Sequence, residues 1–315
     1  MSSEKPTRKS DIVIVGAGPA GLTAALYAGR SGRSCIVLEK LGVGGQVSLT
    51  DQVENYPGFP KISGQELAQR LLDHVKVYDV PIQIEEVQKV IDKGECKVAV
   101  TEDAYYVSKA VIIATGARPK KLGVPGEVSF YGKGVSYCAL CDGPFYKDKV
   151  VAVIGGGDSA VKEAVYLSHI AEKVYIVHRR DRLRAEKALQ ESAMRSTNIE
   201  VLWSTVTDSI DGTDHVTGIT LSRLTTGEKF HLSLDGVFIY VGLAPNTEIF
   251  DVEKDQEGFI KVNGEMMTSV EGIFAAGDCM RQCGGRTWGQ ISVCVGDGAK
   301  ASISADEYIS RKLKR

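Results

Sequence analysis

The sequence predicts an α/β fold that contains two copies of one βαβ unit, and three observations support this. A short strand of β-branched residues runs into a glycine-rich turn and a helix between residues 11 and 30, and the same order returns between residues 149 and 170. Short apolar strands of this kind are typical of buried parallel sheets. Segments 97–101 and 215–223 instead alternate apolar and polar residues, as antiparallel hairpin strands do. The chain of 315 residues is long enough for two domains with separate cores.

The first unit carries a dinucleotide-binding fingerprint. Gly16, Gly18 and Gly21 follow the strand Asp11–Val15 directly, and a helix is predicted over Pro19–Arg30. The first glycine permits a tight turn, the second admits a pyrophosphate, and the third lets helix and strand pack closely. The N-terminus of the helix then faces the phosphates with its positive end.

Glu39 indicates which dinucleotide this turn accepts. It lies 18 residues after Gly21 and ends the second strand of the unit. A carboxylate there accepts hydrogen bonds from ribose hydroxyls and repels a 2′-phosphate, which favours FAD or NAD over NADP. A glycine turn alone is a weak signal and can be a turn without a ligand, but here the strand, the helix and the acid agree.

The second unit repeats the glycine turn 139 residues further on, from Gly16 to Gly155. The strand Val150–Ile154 leads into Gly155, Gly157 and Ala160, and a helix is predicted to follow as far as about residue 170. Alanine stands where the last glycine of the first turn stood. The same phosphate-binding geometry is therefore expected at both turns.

The second unit differs from the first where its second strand ends. The strand Lys173–Val177 runs into His178, Arg179 and Arg180, and Arg184 follows shortly after. Guanidinium groups bind phosphates through paired hydrogen bonds, so this basic end favours the 2′-phosphate of NADPH. The alternative is a solvated basic loop.

Cys138 and Cys141 have three interpretations. They can be a redox dithiol, half of a zinc site completed by Cys279 and Cys283 at unusual spacing, or two unrelated buried thiols. The redox interpretation is favoured in an α/β chain without secretion signals. Asp142 adjoins the pair and is either an acid–base group for dithiol exchange or an ordinary turn residue before a glycine.

The remaining cysteines fall into two groups. Cys35 and Cys96 are expected to be buried and inert on strand-like segments. Cys279, Cys283 and Cys294 cluster near a small-residue turn, where they form either a second thiol relay or part of the core. The histidines show no metal-binding spacing, so no metal site is expected.

Composition and charge exclude several classes of function. The net charge of −2 gives no support for binding to nucleic acid or to a membrane surface. No apolar run approaches the roughly 18 residues of a membrane-spanning helix, and the first ten residues lack the apolar stretch of a signal peptide. Seven scattered cysteines do not suit a secreted disulfide framework. A cytoplasmic protein is therefore expected, with the basic ends Lys5–Lys9 and Arg311–Arg315 as solvated tails.

Two polar turns, near residues 117–120 and 243–247, are candidate crossings between domains. They divide the chain into segments 1–117, 118–245 and 246–315, so that the middle segment is a domain inserted into the one formed by the outer two.

In the order and spacing of its motifs, the chain resembles the low-molecular-weight thioredoxin reductases, of bacterial and archaeal type, along nearly its whole length. Several of these motifs are individually weak, but their combination is specific. The matching residues are Gly16–Gly21, Gly44–Gln46, Val53–Gly58, Ala114–Gly116, Cys138–Gly143, Gly155–Ala160, His178–Asp181, Arg184, Gly277 and Asp278.

The resemblance implies two Rossmann-like dinucleotide-binding domains of three-layer ββα build, with FAD held by the outer segments, NADPH held by the insertion, and a homodimer. The FAD site would be formed by Gly16, Gly18, Pro19, Ala20, Gly21, Glu39, Lys40, Gly44, Gly45, Gln46, Asn55, Thr115, Gly116, Gly277, Asp278, Gln290 and Ile291. The NADPH site would be formed by Gly155, Gly157, Asp158, Ser159, Ala160, His178, Arg179, Arg180 and Arg184.

The resemblance also assigns the chemistry. Cys141 would lie next to the flavin, Cys138 would attack the disulfide of thioredoxin or a glutaredoxin-like protein, and Asp142 would donate a proton. The chain departs from the family between residues 279 and 288, where it is longer, and Gly289 precedes Gln290 where the family has arginine. Because the redox pair and the NADPH turn share the insertion, rotation of that domain is expected.

Four other functions stay open at this stage. A flavin dithiol oxidase and a ferredoxin-driven reductase would both need the cysteine pair but not the basic cluster at 179–184. An NADPH–ferredoxin oxidoreductase would not need the pair, and a flavin-bound redox sensor would not turn over rapidly with NADPH.

Overall fold

The computed structural model describes residues 5–49, 53–282 and 289–313, apart from the side chains of residues 140 and 141. The chain divides into two compact units. The outer unit comprises Met1–Arg118 and Ala244–Arg315, and the inserted unit comprises Pro119–Leu243. Within the described ranges, no helix combines the length and the apolar character needed to cross a bilayer.

The elements follow one another in three groups along the chain. The first segment of the outer unit contains β1 (Thr7–Lys9), β2 (Ile12–Val15), α1 (Pro19–Arg30), β3 (Cys35–Glu39), α2 (Gly64–Lys76), β4 (Ile82–Ile84), β5 (Lys89–Asp92), β6 (Lys97–Val100), β7 (Tyr105–Ser108), β8 (Ala110–Ile113) and β9 (Ala117–Pro119). The inserted unit contains β10 (Val135–Ser136), α3 (Ala139–Asp142), β11 (Val150–Gly155), α4 (Asp158–Ser168), β12 (Lys173–Val177), α5 (Lys187–Arg195), β13 (Ile199–Leu202), β14 (Thr205–Gly212), β15 (Val216–Arg223), β16 (Lys229–Ser233) and β17 (Gly236–Tyr240). The last segment contains β18 (Leu243–Pro245), β19 (Ile260–Val262), β20 (Ile273–Ala275), β21 (Met280–Gln282) and α6 (Ile291–Leu313).

A parallel sheet forms the centre of the outer unit, in the strand order β20-β8-β2-β3-β4. Strands β2 and β8 consist of β-branched and small apolar residues and are buried along their whole length, which is why they do not alternate in polarity. Helices α1 and α6 pack against the sheet and against each other. A Cβ added at Gly298 of α6 would overlap the carbonyl oxygen of Ala20, so glycine is what permits this close crossing.

A second sheet of the outer unit, β1-β7-β6-β5, corrects the expectation of a solvated N-terminal tail. The basic N-terminal stretch is not a free tail, because Thr7–Lys9 pairs in parallel with Tyr105–Val107 while its side chains stay exposed. At the other end of the chain, α6 continues to Leu313, so Arg311 is helical. Cys35 is buried in a strand as expected, but Cys96 is only partly buried and lies in the turn before β6.

The inserted unit has three layers. Its parallel sheet, in the order β10-β17-β11-β12-β13, carries helices on one face and the antiparallel sheet β14-β15-β16 on the other. Alternate residues of β11 face opposite sides, with Val151 and Val153 packed in the helical layer and Ala152 and Ile154 packed against the antiparallel sheet. The predicted α/β fold with its ββα layering is therefore observed.

Glu127 ties the start of the inserted unit to the residue before Cys138. Its side chain is 2% exposed and accepts hydrogen bonds from the N–H groups of Leu122 (2.7 Å) and Gly123 (2.6 Å) and from the hydroxyl of Tyr137 (2.6 Å). Burial by itself raises the pKa of Glu127, but the three donors outweigh burial and hold the pKa below its usual range.

Replacing this carboxylate should cost stability in a pH-dependent way. Glu127→Gln leaves a buried backbone N–H facing an amide and should lower the free energy of unfolding by about 1–3 kcal/mol at neutral pH. Because the folded pKa of Glu127 lies below its unfolded value, the carboxylate contributes stability above the unfolded pKa, and this contribution is lost as the pH falls through the folded pKa. Urea unfolding at neutral and acidic pH measures both effects.

Glu66→Gln is the matched control, because Glu66 forms an exposed pair with Arg70 at 2.7 Å and should contribute less than about 1 kcal/mol. Equal costs for the two variants at every pH would contradict the role assigned to Glu127.

Candidate active site

The first glycine turn brings β2, β8 and α1 closer together than side chains would allow. Gly16 has a φ of +106°, and a Cβ there would overlap the backbone of Ala114. A Cβ at Gly21 would overlap the carbonyl oxygen of Gly16. Gly18 caps α1, with Pro19 following it, and a Cβ at Gly18 would meet nothing within 4 Å among the described residues. The backbone at the start of α1 therefore has open space beside Gly18, as an anion-binding helix end requires.

The end of β3 lies against this turn. Glu39 accepts the N–H of Ala17 at 2.7 Å through one carboxylate oxygen and the N–H of Leu41 at 3.0 Å through the other. The predicted ribose-binding carboxylate is thus held beside the glycine turn. The neighbouring Lys40 instead pairs with Glu86 at 2.6 Å on the surface.

A loop after β3 is bound to the same turn. The N–H of Gly44 donates to the carbonyl oxygen of Ala17 at 2.8 Å, and a Cβ at Gly45 would stand 3.3 Å from the Cα of Gly18. Gln46 is exposed and donates from its side-chain amide to the carbonyl oxygen of Ala117. Three predicted FAD residues, at 44, 45 and 46, therefore border the opening of the first turn.

Two contacts join residues that are far apart in sequence. The side-chain amide of Asn55 donates to that of Gln290 at 3.0 Å, directly before Ile291 begins α6. The hydroxyl of Thr115 donates to the carbonyl oxygen of Asn246 at 2.6 Å, next to Gly116 with its φ of +64°. The outer two segments of the chain thus meet at predicted site residues.

The turn after β20 places a carboxylate beside the same helices. A Cβ at Gly277 would stand 3.0 Å from the Cβ of Ala20, so this turn lies against the start of α1. Burial raises the pKa of Asp278, whose Oδ1 lies 3.6 Å from the thiol of Cys294. Burial also raises the pKa of Asp297 to about 6, and this carboxylate accepts the N–H of Gly277.

Cys279 and Cys294 lie in the core of the outer unit as free thiols. Burial raises the pKa of Cys279 to about 11, and burial together with the charge of Asp278 raises that of Cys294. Since a thiol relay needs accessible thiolates, these two residues fit the structural alternative. Cys283, the third member of the predicted cluster, lies outside the described residues.

The second glycine turn repeats the first within the inserted unit. Gly155 has a φ of +153°, and a Cβ there would overlap the carbonyl oxygen of Tyr240 and stand 2.7 Å from the Cβ of Ala160. Gly157 caps α4, with open space where its Cβ would be. The helix end is therefore open to a phosphate, with Ser159 exposed in its first turn.

The basic loop lies against this turn through its backbone. The N–H of Arg184 donates to the carbonyl oxygen of Gly156 at 2.7 Å, and Asp158 accepts the N–H of Glu186 at 2.7 Å. His178 is 5% exposed, and its ring occupies the space beside Gly156 where a Cβ would stand. Burial lowers the pKa of His178, so the ring is neutral and forms part of the wall of the turn.

The side chains of Arg179, Arg180 and Arg184 are exposed. In the part of the chain that the structure describes, none of these three guanidinium groups forms an ion pair. Three cations without acidic partners beside an open helix end are the arrangement that the predicted 2′-phosphate site requires.

The redox turn lies in the same unit. Cys138 is disulfide-bonded, and its N–H donates to the hydroxyl of Ser136 at 3.0 Å. The turn packs on α4, because a Cβ at Gly143 would stand 3.1 Å from the ring of Tyr166. The described residues hold no group of three or more histidine, cysteine, aspartate or glutamate side chains placed to bind a metal. The zinc interpretation also requires Cys141 and Cys283, whose side chains lie outside the described part of the chain.

Asp142 follows the redox pair without acting as a helix cap, since its side chain makes no capping hydrogen bond. Burial and the charge of Asp142 raise the pKa of Tyr146, and Asp142 also contributes to the raised pKa of Tyr240. The carboxylate is therefore near enough to both phenols to act on them electrostatically, and its acid–base role stays a prediction.

Some residues of these sites carry no signal that the sequence analysis used. Gly296 and Gly298 lie inside the predicted helix after Gln290, and small residues there are a sequence signal for the close crossing of α1 and α6. The residues that were missed are Asn246, Asp297, Gly298 and Tyr240.

Comparison with known proteins extends these observations. Residues 10–298 match the pyridine nucleotide-disulphide oxidoreductase family. A thioredoxin reductase of Bacillus subtilis is 45% identical over 312 residues, which cover 98% of this chain and 96% of that protein.

Two solved structures are also similar. Lactococcus lactis thioredoxin reductase matches with a TM-score of 0.91 and 39% identity, over 96% of this chain and 99% of that chain. The T. acidophilum thioredoxin reductase matches with a TM-score of 0.89 and 39% identity, over 97% of this chain and 99% of that chain. By sequence, fold and the arrangement of its two glycine turns, the chain belongs to the pyridine nucleotide-disulphide oxidoreductase family, in the branch of the low-molecular-weight thioredoxin reductases.

Proposed function

We propose that the chain is an NADPH-dependent thioredoxin-disulfide reductase, which passes electrons through FAD and a Cys138–Cys141 disulfide to thioredoxin or a thioredoxin-like protein. The observation that carries this proposal is the disulfide-bonded Cys138, in a turn that packs on α4, the helix whose N-terminus opens the second glycine turn. We include in the proposal a homodimer, which the family resemblance implies, and a cytoplasmic location, because seven scattered cysteines do not suit a secreted disulfide framework.

The outer unit fits FAD. The open N-terminus of α1 at Gly18 would receive the pyrophosphate, and the carboxylate of Glu39 stands beside it where ribose hydroxyls would donate. Asp278, in the turn after β20, and Gln290, directly before α6, would hold the rest of the cofactor. When bound, FAD supplies a two-electron carrier and NADPH supplies the hydride.

The inserted unit fits NADPH better than NADH. Gly157 leaves the start of α4 open for the pyrophosphate, and Arg179, Arg180 and Arg184 are exposed beside it without acidic partners. A 2′-phosphate would accept charge-assisted hydrogen bonds from these guanidinium groups. At the equivalent strand end of the outer unit stands Glu39, which would repel that phosphate.

The cysteine pair performs the exchange with the protein substrate. In the reduced pair, the Cys138 thiolate attacks one sulfur of the substrate disulfide, forming a mixed disulfide and releasing a substrate thiolate. The Cys141 thiolate then attacks the Cys138 sulfur, which re-forms the internal disulfide and releases the second substrate thiolate. Asp142 is placed to exchange protons with the pair, since the carboxyl adjoins Cys141 and lies near the phenols of Tyr146 and Tyr240.

The redox turn and the second glycine turn share the inserted unit, and both must reach the flavin. We therefore propose that this unit rotates about the two chain passages. Those passages are strands β9 and β18, which pair with each other. The ladder is extended on either side by hydrogen bonds from Asn246 to Gly116 (3.0 Å) and from Lys120 to Gly242 (2.9 Å).

Cys138→Ser tests the order of electron transfer. The variant should lose thioredoxin reduction while NADPH still bleaches the flavin absorbance, because only the nucleophile toward the substrate is removed. Cys96→Ser is the control, since Cys96 is a free, partly buried thiol in a turn of the outer unit. Thioredoxin turnover retained by Cys138→Ser would refute the proposed roles.

The arginine cluster predicts a preference for NADPH. The double variant Arg179→Ala with Arg180→Ala should raise the KM for NADPH at least tenfold, a loss of about 1.4 kcal/mol, and leave the KM for NADH nearly unchanged. Arg195→Ala supplies the control, since Arg195 is exposed at the end of α5 in the same unit. Parallel changes with both nucleotides would mean that these arginines do not read the 2′-phosphate.

Phe145 predicts where the protein substrate docks. It lies four residues after Cys141 and is 73% exposed, and a large exposed aromatic side chain beside a redox pair suits a protein interface. Phe145→Ala should raise the KM for thioredoxin several-fold while turnover of a small aromatic disulfide stays the same. The control is Leu224→Ala, 57% exposed in the antiparallel sheet region. Equal effects on both substrates would exclude a docking role.

A further inference from the structure

Tyr240 occupies the same position in the inserted unit as Ala114 does in the outer unit. Tyr240 ends β17, which pairs with β11, the strand that leads into the second glycine turn. Ala114 directly follows β8, which pairs with β2, the strand that leads into the first glycine turn. A Cβ added at Gly155 would overlap the backbone of Tyr240, and a Cβ added at Gly16 would overlap the backbone of Ala114. Alanine has no side chain beyond Cβ, whereas the tyrosine extends a phenol from this fixed point.

The phenol of Tyr240 reaches the redox turn. Its oxygen accepts the N–H of Ala139 at 2.7 Å, and Ala139 is fully buried. The strand end that carries Tyr240 is itself fixed, since the residue pairs with Gly155 in the parallel sheet. The hydrogen bond therefore connects the wall of the second glycine turn rigidly to the first residue of α3.

This hydrogen bond differs from the other contacts of the turn. A disulfide between Cys138 and Cys141 closes a ring that contains the backbone nitrogen of Ala139 but not that of Cys138. The hydroxyl of Ser136 accepts the N–H of Cys138 at 3.0 Å and donates to the carbonyl oxygen of Cys138 at 3.2 Å. The N–H of Asp142 also donates to that oxygen, at 3.1 Å. These bonds reach the ring only through the nitrogen and the oxygen of Cys138, neither of which is a ring atom. Tyr240 instead holds an atom of the ring itself.

The surroundings keep the phenol neutral. Burial, and then the charges of Glu163 and Asp142, raise the pKa of Tyr240. One carboxylate oxygen of Glu163 is buried with no hydrogen-bond partner in the described part of the chain, and burial raises the pKa of that residue as well. A protonated phenol accepts the N–H of Ala139 throughout the neutral pH range.

We propose that Tyr240 is a positioning residue for the redox turn, which stabilises the closed Cys138–Cys141 ring relative to the open dithiol and so makes the disulfide harder to reduce. The inference rests on the proposed function, because it requires that these two cysteines form the redox couple. Opening the ring removes a covalent restraint on Ala139, and a thiolate at the start of α3 competes for the backbone N–H groups there. The hydrogen bond is therefore worth more in the disulfide.

The test is the thiol–disulfide equilibrium of Tyr240→Phe, measured on the FAD-loaded enzyme without NADPH or thioredoxin. Wild type and variant are equilibrated anaerobically with dithiothreitol at graded ratios of dithiol to disulfide, alkylated, and analysed by mass spectrometry for the Cys138–Cys141 disulfide. We expect the equilibrium constant to move about fivefold to tenfold toward the dithiol, and tenfold corresponds to about 30 mV. A change smaller than twofold would overturn the inference.

Tyr106→Phe is the matched control. Tyr106 is 1% exposed, and its hydroxyl donates to Glu85 at 2.7 Å and accepts from Arg8 at 3.2 Å in the outer unit, so the variant also deletes one buried tyrosine hydroxyl with its hydrogen bonds. This variant should lose stability without any change in the thiol–disulfide equilibrium. An equal shift in Tyr106→Phe and Tyr240→Phe would show a general effect of stability and would overturn the inference.

A second variant removes the donor instead of the acceptor. Replacing Ala139 with lactic acid, its backbone ester analogue, deletes the N–H at the first position of α3 without adding atoms beside the Tyr240 hydroxyl. It should shift the equilibrium in the same direction, and adding Tyr240→Phe to it should produce no further shift, because the bond is already absent. Additive shifts would contradict the proposed contact. Wild-type enzyme without a Cys138–Cys141 disulfide would instead refute the proposed function.

Discussion

The close approach of backbone to backbone at the two glycine turns is the constraint on which the rest of the structure depends. At Gly16, Gly21 and Gly155 an added Cβ would overlap a carbonyl group of a neighbouring strand or turn. Only glycine lets the helix start so near the sheet, and that proximity points the free N–H groups of α1 and α4 into open space. Both predicted dinucleotide sites follow from this one steric requirement.

The parallel sheets then bring distant residues to these helix ends. In the outer unit, Asn55 bonds to Gln290 and Thr115 bonds to Asn246, so the two outer segments of the chain contact each other at predicted site residues. In the inserted unit, Tyr240 links the wall of the second glycine turn to the redox turn. Residues that are far apart in sequence thus meet at the sheet edges where the dinucleotides are predicted to bind.

The fold class and the limits of several helices and strands could be predicted from the sequence, because the residues that indicate them lie within those elements or at their ends. The helix Pro19–Arg30 and the strand Lys173–Val177 are observed with the predicted limits, since a glycine turn, a proline or a charged residue marks each end. The α/β class followed from strands that are apolar throughout. The contrast between Glu39 and the arginines after β12 is also local, because each lies at the end of its strand.

The remaining features depend on contacts that no local pattern encodes. His178 belongs to a basic run, yet its ring fills space beside Gly156 while the neighbouring arginines face outward. The pairing of β1 with β7 depends on a strand a hundred residues away, so a basic tail was the natural expectation. The roles of Tyr240 and Asp297 arise from burial next to glycine turns, which only the packed structure reveals.

The central claim, electron flow from NADPH through a flavin to the Cys138 disulfide, is tested most directly by anaerobic titration of the flavin absorbance with NADPH, with NADH in parallel. The proposed function predicts that NADPH bleaches the flavin efficiently, that NADH does so poorly, and that full reduction consumes equivalents for both the flavin and one disulfide. A flavin that NADPH does not bleach would contradict the claim and would direct the search to another electron donor.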